Sequence, residues 1–315
     1  MKINLLIAGG LGYIGSFTAR EYTRVFSYKP YSIDNMSRGN SFAKKFSINT
    51  KLNISNSKVK EILKSKKINT VINLAAYTCV RESIIKKKLY YKNNYISQIK
   101  FINLLKNSGT TYLIFASSLS IFDNNKIKKK PSPYSECKIK IENYLKKVSS
   151  NNFKVIVLRY PNIVGSDSNG EIGEKNRFIS RIVPTFYKNI INNKKSIIFY
   201  DFKQKKFPLR NYLHVNDLAR LNIKIIKNIK KFRKNFYIFN IINNKFYSNY
   251  DVLKNLAYIT KTSPNFIIKK INSKESIKPI YKEKNKLNKF VNFKPKVLGL
   301  KKILKTNLKW FKKIY

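Results

Sequence analysis

Ala8-Gly9-Gly10-Leu11-Gly12-Tyr13-Ile14-Gly15, entered from the apolar run Ile3 to Ile7, reads as a strand that turns through glycines into a helix. Gly9 and Gly12 allow a tight turn and a close backbone approach to a pyrophosphate, and Gly15 lets the helix lie close on the strand. The N–H groups that open the helix are then left for phosphate oxygens. A glycine turn alone is common, so its neighbours decide the reading. Downstream, Tyr31-Ser32-Ile33-Asp34-Asn35 ends a second plausible strand in an acid placed to hold a ribose 2′-hydroxyl. The two stretches together predict a dinucleotide site. Asp34 favours NAD over NADP, because a carboxylate would repel a 2′-phosphate, while Arg38 nearby pulls the other way.

Further short β-rich runs, Val71 to Leu74, Tyr112 to Ala116 and Val155 to Arg159, alternate with longer amphipathic segments. That alternation predicts an α/β fold with a doubly wound parallel sheet of the Rossmann type. Nearly continuous apolar runs such as Leu113-Ile114-Phe115 suit strands covered on both faces. After Gly165 the rhythm breaks, first into the polar loop Ser166 to Gly173 and then into irregularly alternating pieces. The expected division is a cofactor domain over residues 1–165 and a smaller C-terminal α/β substrate domain over 166–315, from which about 197–240 returns to the first.

With 315 residues and 43% hydrophobic content, the chain can bury a substantial core. No apolar run approaches the roughly 20 residues of a membrane span, so a cytoplasmic protein is expected. Cys79 and Cys137 sit in unrelated contexts and His214 is the single histidine, which argues against a disulfide framework and against a metal centre. Lys+Arg 66 against Asp+Glu 15 gives a net charge of +51, ordinarily a pointer to polyanions. Here the lysine clusters are scattered, and lysine, asparagine and isoleucine are abundant throughout, as AT-biased coding would produce. Solvated surface lysines are the expectation, with no specific nucleic-acid partner.

Tyr134-Ser135-Glu136-Cys137-Lys138 puts a phenol and an ammonium four residues apart, on one face of a helix. Such a pair can act as a general base. A free tyrosine titrates near 10, and bringing it near 7 takes roughly 4 kcal/mol of anion stabilisation, which a lysine and a cationic nicotinamide can supply. In a lysine-rich chain the same spacing also describes an ordinary exposed pair. What singles it out is Ser117-Ser118-Leu119-Ser120 at the end of the run Tyr112 to Ala116, which offers a hydroxyl to share a substrate hydrogen bond.

With these residues in view, the chain resembles the extended short-chain dehydrogenase/reductase family and, within it, the nucleotide-sugar epimerases. The resemblance runs from the glycine turn through Asp34-Asn35-Met36-Ser37-Arg38-Gly39, Asn73-Leu74-Ala75-Ala76, Tyr91-Lys92-Asn93-Asn94, Arg159-Tyr160-Pro161-Asn162 and Arg210-Asn211-Tyr212-Leu213-His214 to Phe293-Lys294-Pro295. It implies a catalytic set of Ser118, Tyr134 and Lys138, with Ser117 as an alternative hydroxyl. It implies NAD contacts from Gly9, Gly12, Tyr13, Ile14 and Gly15, and from Asp34, Asn35 and Ser37 at the adenosine ribose. Asn53, Ile54, Leu74, Ala75, Ala76, Asn94, Ser117, Tyr134, Lys138 and Tyr160 complete that set. Asn162, Asn176 and Arg210, with Ser118, would face a nucleotide-sugar substrate, a UDP-sugar by resemblance, and a homodimer is expected on the same ground. His214 is expected to support structure rather than chemistry.

Departures narrow the class. Leu119-Ser120 stands where sugar-nucleotide dehydratases carry an Asp-Glu pair, and Ser120 also lacks the acid of UDP-glucuronate decarboxylases. The segment Phe122 to Pro133 is short and basic, Asn53 replaces an expected Asp, and the family's Arg-x-Gly-Asp contact is not recognisable around Lys278-Pro279-Ile280-Tyr281. The expected activity is 4-epimerisation through a 4-keto sugar. A 4-keto-sugar reductase is the alternative, and a cofactor-binding protein without catalysis is a third.

Overall fold

The computed structural model describes residues 3–123, 126–175, 181–203, 205–243, 245–270 and 286–315. Among the described residues seven strands form the central sheet: β1 (Leu5–Ala8), β2 (Tyr31–Asp34), β3 (Ile48–Lys51), β4 (Thr70–Asn73), β5 (Tyr112–Ser118), β6 (Lys154–Tyr160) and β7 (Phe236–Asn240). They lie in the order β7-β6-β5-β4-β1-β2-β3, and every pair is parallel. The order reverses between β1 and β4, so a crevice opens beyond the carboxyl ends of those two strands.

Side-chain alternation along the strands feeds two cores. Leu5, Ile7, Ile114 and Ile156 pack with Phe17 of the helix Tyr13–Phe26 and Leu218 of the helix Val215–Lys227. Leu6, Leu113, Phe115 and Val155 pack on the other face with Phe101, Ile141 and Leu145, from the helices Ser97–Lys106 and Pro133–Val148. Both faces are covered, as the apolar runs predict.

A second lobe has its own core of Phe186, Tyr187, Leu253, Ile303, Trp310 and Phe311. Within it, Ser196–Tyr200 pairs with Phe266–Lys270, and Leu209–His214 lies between Asn162–Val164 and Phe246–Ser248. The helix Val215–Lys227 packs in the core of the central sheet and β7 pairs with β6, while Ser196–Tyr200 pairs outside that sheet. Among the described residues no helix is long and apolar enough to cross a membrane.

Candidate active site

The glycine turn closes tightly over the crevice. Gly9 has φ +76, donates to the Ile33 carbonyl at 2.8 Å and faces the β4 loop so closely that a Cβ would stand 2.8 Å from the Ala75 nitrogen. A Cβ on Gly15 would stand 2.1 Å from the Gly9 oxygen. Gly12 opens the helix Tyr13–Phe26 with no side-chain cap, which leaves the helix's first N–H groups to the crevice. Asp34 ends β2 buried, accepting from Leu11 N at 3.1 Å and Met36 N at 2.8 Å. Burial pushes its carboxyl up, and main-chain N–H groups of Met36, Leu11 and Gly12 oppose that rise. The cavity lined by Gly12, Asp34, Asn53, Ala75 and Ala76 therefore offers a glycine cradle, a helix N-terminus and a fixed acid, the donor set a dinucleotide requires.

Beyond the β4 loop lie the residues of the expected catalytic set. The β5 alternation sends Ser117 toward the helix Pro133–Val148, where its hydroxyl donates to Glu142 at 2.5 Å. Ser118 leaves the opposite side, where its hydroxyl acts to lower the Tyr134 phenol. Its oxygen also accepts from Ser120 N at 3.1 Å. Tyr134 is held in the helix's first turn by the Ser132 cap and Pro133 at the start. One turn on, Lys138 is buried, donates to the Ala116 carbonyl at 2.6 Å and has its ammonium 5.9 Å from the centre of the Tyr134 ring.

The electrostatics favour a neutral phenol in the absence of a further cation. Burial raises the Tyr134 phenol, opposed by the Ser118 hydroxyl and the charge of Arg181. Burial pushes Lys138 down to about 8, with Cys137 and Glu142 acting to raise it. Lys138 thus remains largely protonated at neutral pH.

Two residues here escaped the sequence reading. Glu142 accepts from Ser117 and pairs with Arg159 at 2.7 Å, buried behind Lys138. Its signal was present in the four-residue spacing Tyr134, Lys138, Glu142 along one helix face. Arg181 lines the cavity with Glu174, to which it is bonded at 2.8 Å, and its charge reaches both Tyr13 and Tyr134. Nothing in its local sequence distinguishes it from other cations in so basic a chain.

Other expected contacts are placed differently. Tyr13, Ile14, Asn35, Ser37, Ile54 and Leu74 line the cavity. Asn94 does not: buried in the helix, it grips the backbone of Tyr77, donating to its carbonyl at 2.7 Å and accepting from its nitrogen at 2.9 Å. Its neighbour Asn93 is the one on the cavity wall. The Tyr160 hydroxyl donates to Asn222 at 2.9 Å inside the core, which directs it toward the first helix rather than the crevice. Asn162 registers opposite Tyr212, so Asn162 and Arg210 share a face of the small sheet. Asn176 and the Lys278 to Tyr281 stretch lie outside the described residues. His214 is 1% exposed, caps the helix Val215–Lys227 by accepting from Asn216 N at 3.1 Å, and pairs with Thr306 at 3.1 Å. Its place is structural.

A family model described as the NAD dependent epimerase/dehydratase family matches residues 5–241. The chain belongs to that family. It is 29% identical over 279 residues to a UDP-glucose 4-epimerase of Lactobacillus helveticus, covering 82% of each chain. Its fold is similar to a UDP-glucose-4-epimerase from Stenotrophomonas maltophila with bound NAD and formylated UDP-arabinopyranose, with a TM-score of 0.88, 19% identity, and coverage of 99% of this chain and 98% of that one. A UDP-glucose 4-epimerase from Bifidobacterium longum in complex with NAD+ and UDP gives 0.86 at 22% identity, with 98% of each chain covered.

Proposed function

We propose that this protein is an NAD-dependent nucleotide-sugar 4-epimerase acting on a UDP-sugar of the glucose or N-acetylglucosamine type. The observation that carries this reading is Tyr134 and Lys138 one turn apart on a helix, Lys138 buried and bound to the Ala116 carbonyl of the strand that ends in Ser118, in the same lobe as the Gly9–Asp34 cradle. Leu119 and Ser120 supply no carboxylate for water elimination, which favours epimerisation over dehydration.

In this reading Ser118 and Tyr134 hold the sugar's 4-hydroxyl, and the phenolate takes its proton directly or through the serine. Lys138 and Arg181 stabilise the phenolate. Asp34 receives the adenosine ribose, and the N–H groups at the start of the first helix receive the pyrophosphate. The bound dinucleotide supplies a two-electron acceptor for the hydrogen at sugar C4, later returned on the other face. Between the two events the 4-keto sugar turns over, so Tyr134 must return its proton to either epimer. Asn162 and Arg210, with Asn176, would hold the nucleotide portion, Arg210 as a planar donor to the diphosphate. Residues 1–165 serve as the cofactor lobe and 166–315 mainly as the substrate lobe.

A second copy of the chain is the proposed partner. Ile84, Ile85, Leu89, Tyr91 and Ile96 are exposed, Ile85 at 82%, along a single stretch beside the helix Pro133–Val148. Such a run of apolar side chains suits a helical dimer face. Free, buried Cys79 and Cys137 fit a reducing, cytoplasmic setting.

The test is to denature the purified protein and assay released cofactor, while the native protein is incubated with UDP, dTDP and GDP sugars and no added NAD. Bound NAD with a C4 epimer formed supports the reading. Turnover only with added NADH or NADPH, consumed stoichiometrically, moves the assignment to a 4-keto-sugar reductase.

A further inference from the structure

The adenosine end of the crevice carries a cation whose partner lies on another loop. Arg38 follows Asp34 by four residues and lines the cavity beside it. A guanidinium there is the kind of group that a 2′-phosphorylated ribose recruits, because its planar donors match a phosphate. In this protein its Nη2 is engaged and its face is covered. Nη2 lies 2.7 and 2.5 Å from the two carboxylate oxygens of Glu82, and the guanidinium carbon stands 4.4 Å from the centre of the Tyr77 ring.

Glu82 is itself fixed from behind. The fully buried Tyr90 donates its hydroxyl to Glu82 at 2.8 Å, and the same oxygen accepts from Cys79 N at 3.1 Å. Lys86 adds a second cation at 3.7 Å. The Glu82 side chain is 13% exposed and that of Arg38 25%, so the pair is partly shielded from water and stronger than an open surface contact. The carboxylate stands on the short helix Val80–Ile85, clamped to the core through Tyr90, while the arginine stands on the ribose loop. Arg38 is therefore anchored across the crevice from the loop that carries it.

We infer that Glu82 is a specificity-determining residue for the dinucleotide, which holds Arg38 against Tyr77 and withholds it from a 2′-phosphate. Selectivity for NAD over NADP then has two sources on two loops: Asp34 repels the phosphate and Glu82 sequesters the cation that would attract it. This inference rests on the dinucleotide reading of the crevice. An arginine that by sequence argues for NADP is neutralised by a contact from residues 44 positions downstream.

In the test, the full-length protein and its variants are exchanged against equimolar NADH and NADPH, and the bound dinucleotides are released by denaturation and quantified by chromatography. Glu82→Gln is expected to raise the bound NADPH:NADH ratio at least fivefold, and adding Arg38→Ala is expected to return it to the wild-type value. Arg38→Ala alone is expected to leave the wild-type ratio within twofold. An unchanged ratio in Glu82→Gln overturns the inference, as does an equal loss of both dinucleotides. If Glu82→Gln fails to fold, Arg38→Ala alone decides: a selective loss of NADPH means that Arg38 already reaches the phosphate, and the inference fails. Binding of neither dinucleotide by the wild-type protein would refute the reading of the crevice itself, an outcome distinct from an altered ratio.

Discussion

Replacing Lys138 by Met removes a buried ammonium and separates its catalytic value from its energetic burden. Burial lowers this lysine from 10.5 to about 8. At about 1.4 kcal/mol per tenfold change in proton affinity, the drop corresponds to about 3 kcal/mol held against the folded state while the group is charged. Between pH 8 and 10.5 the unfolded chain keeps this proton and the folded chain has lost it. The unfolded state then binds more protons, so wild-type stability rises with pH relative to the variant. Urea unfolding of both proteins at pH 7 and pH 10.5 reads this directly, because the other lysines titrate alike in each and cancel in the difference. The wild-type-minus-variant stability is expected to increase by about 3 kcal/mol across that window. A difference constant to within about 1 kcal/mol would show that Lys138 is not a desolvated cation, and the argument for its role beside Tyr134 would go with it. In the epimerase assay, the same variant is expected to lose turnover at every pH.

Tyr134→Phe keeps the ring but removes the proton acceptor; turnover measured by product chromatography should fall by about 10² to 10⁴ or more, with dinucleotide still released on denaturation. Glu142→Ala leaves the partly buried Arg159 guanidinium without its carboxylate, and urea unfolding should show a loss of up to about 3–5 kcal/mol, smaller for Glu142→Gln. Arg181→Met removes a charge that lowers the Tyr134 phenol, so the pH at which kcat/KM rises should move upward and activity at pH 7 should fall. An unmoved profile would leave Arg181 with no electrostatic role.

The parts legible in the sequence are those encoded over short distances. The glycine turn, Asp34, and strands β1, β2, β4, β5 and β6 follow from local pattern, and the observed strands differ from the predicted ones by only a residue or two at their ends. β3 was not readable: Ile48-Asn49-Thr50-Lys51 is a polar, largely exposed edge strand, without the apolar run that marks its buried neighbours. β7 carries the aromatic pattern of a strand, but its place beside β6 depends on a chain path through the second lobe. The opposite directions of Ser117 and Ser118 required the pleat, which sends Ser117 to Glu142. Asn94 and Tyr160 carry hydrogen-bonding groups that the core claims first, a competition no local motif records. Arg181 gains its meaning only when folding brings it to the mouth of the crevice.

Glu174, the partner of Arg181, is tied down by a residue far along the chain. Trp310, on the helix Leu300–Ile314, donates its indole N–H to the Glu174 carbonyl at 2.8 Å, 136 residues downstream, and the same helix places its Thr306 hydroxyl 3.1 Å from Ser166 N. During synthesis at about 5–20 residues per second, on the order of ten seconds separate the emergence of Glu174 from that of its anchor. Glu174 and the Arg181 it holds thus leave the ribosome well ahead of the helix that fastens them, and that wall of the crevice stays unfastened until the helix Leu300–Ile314 has followed.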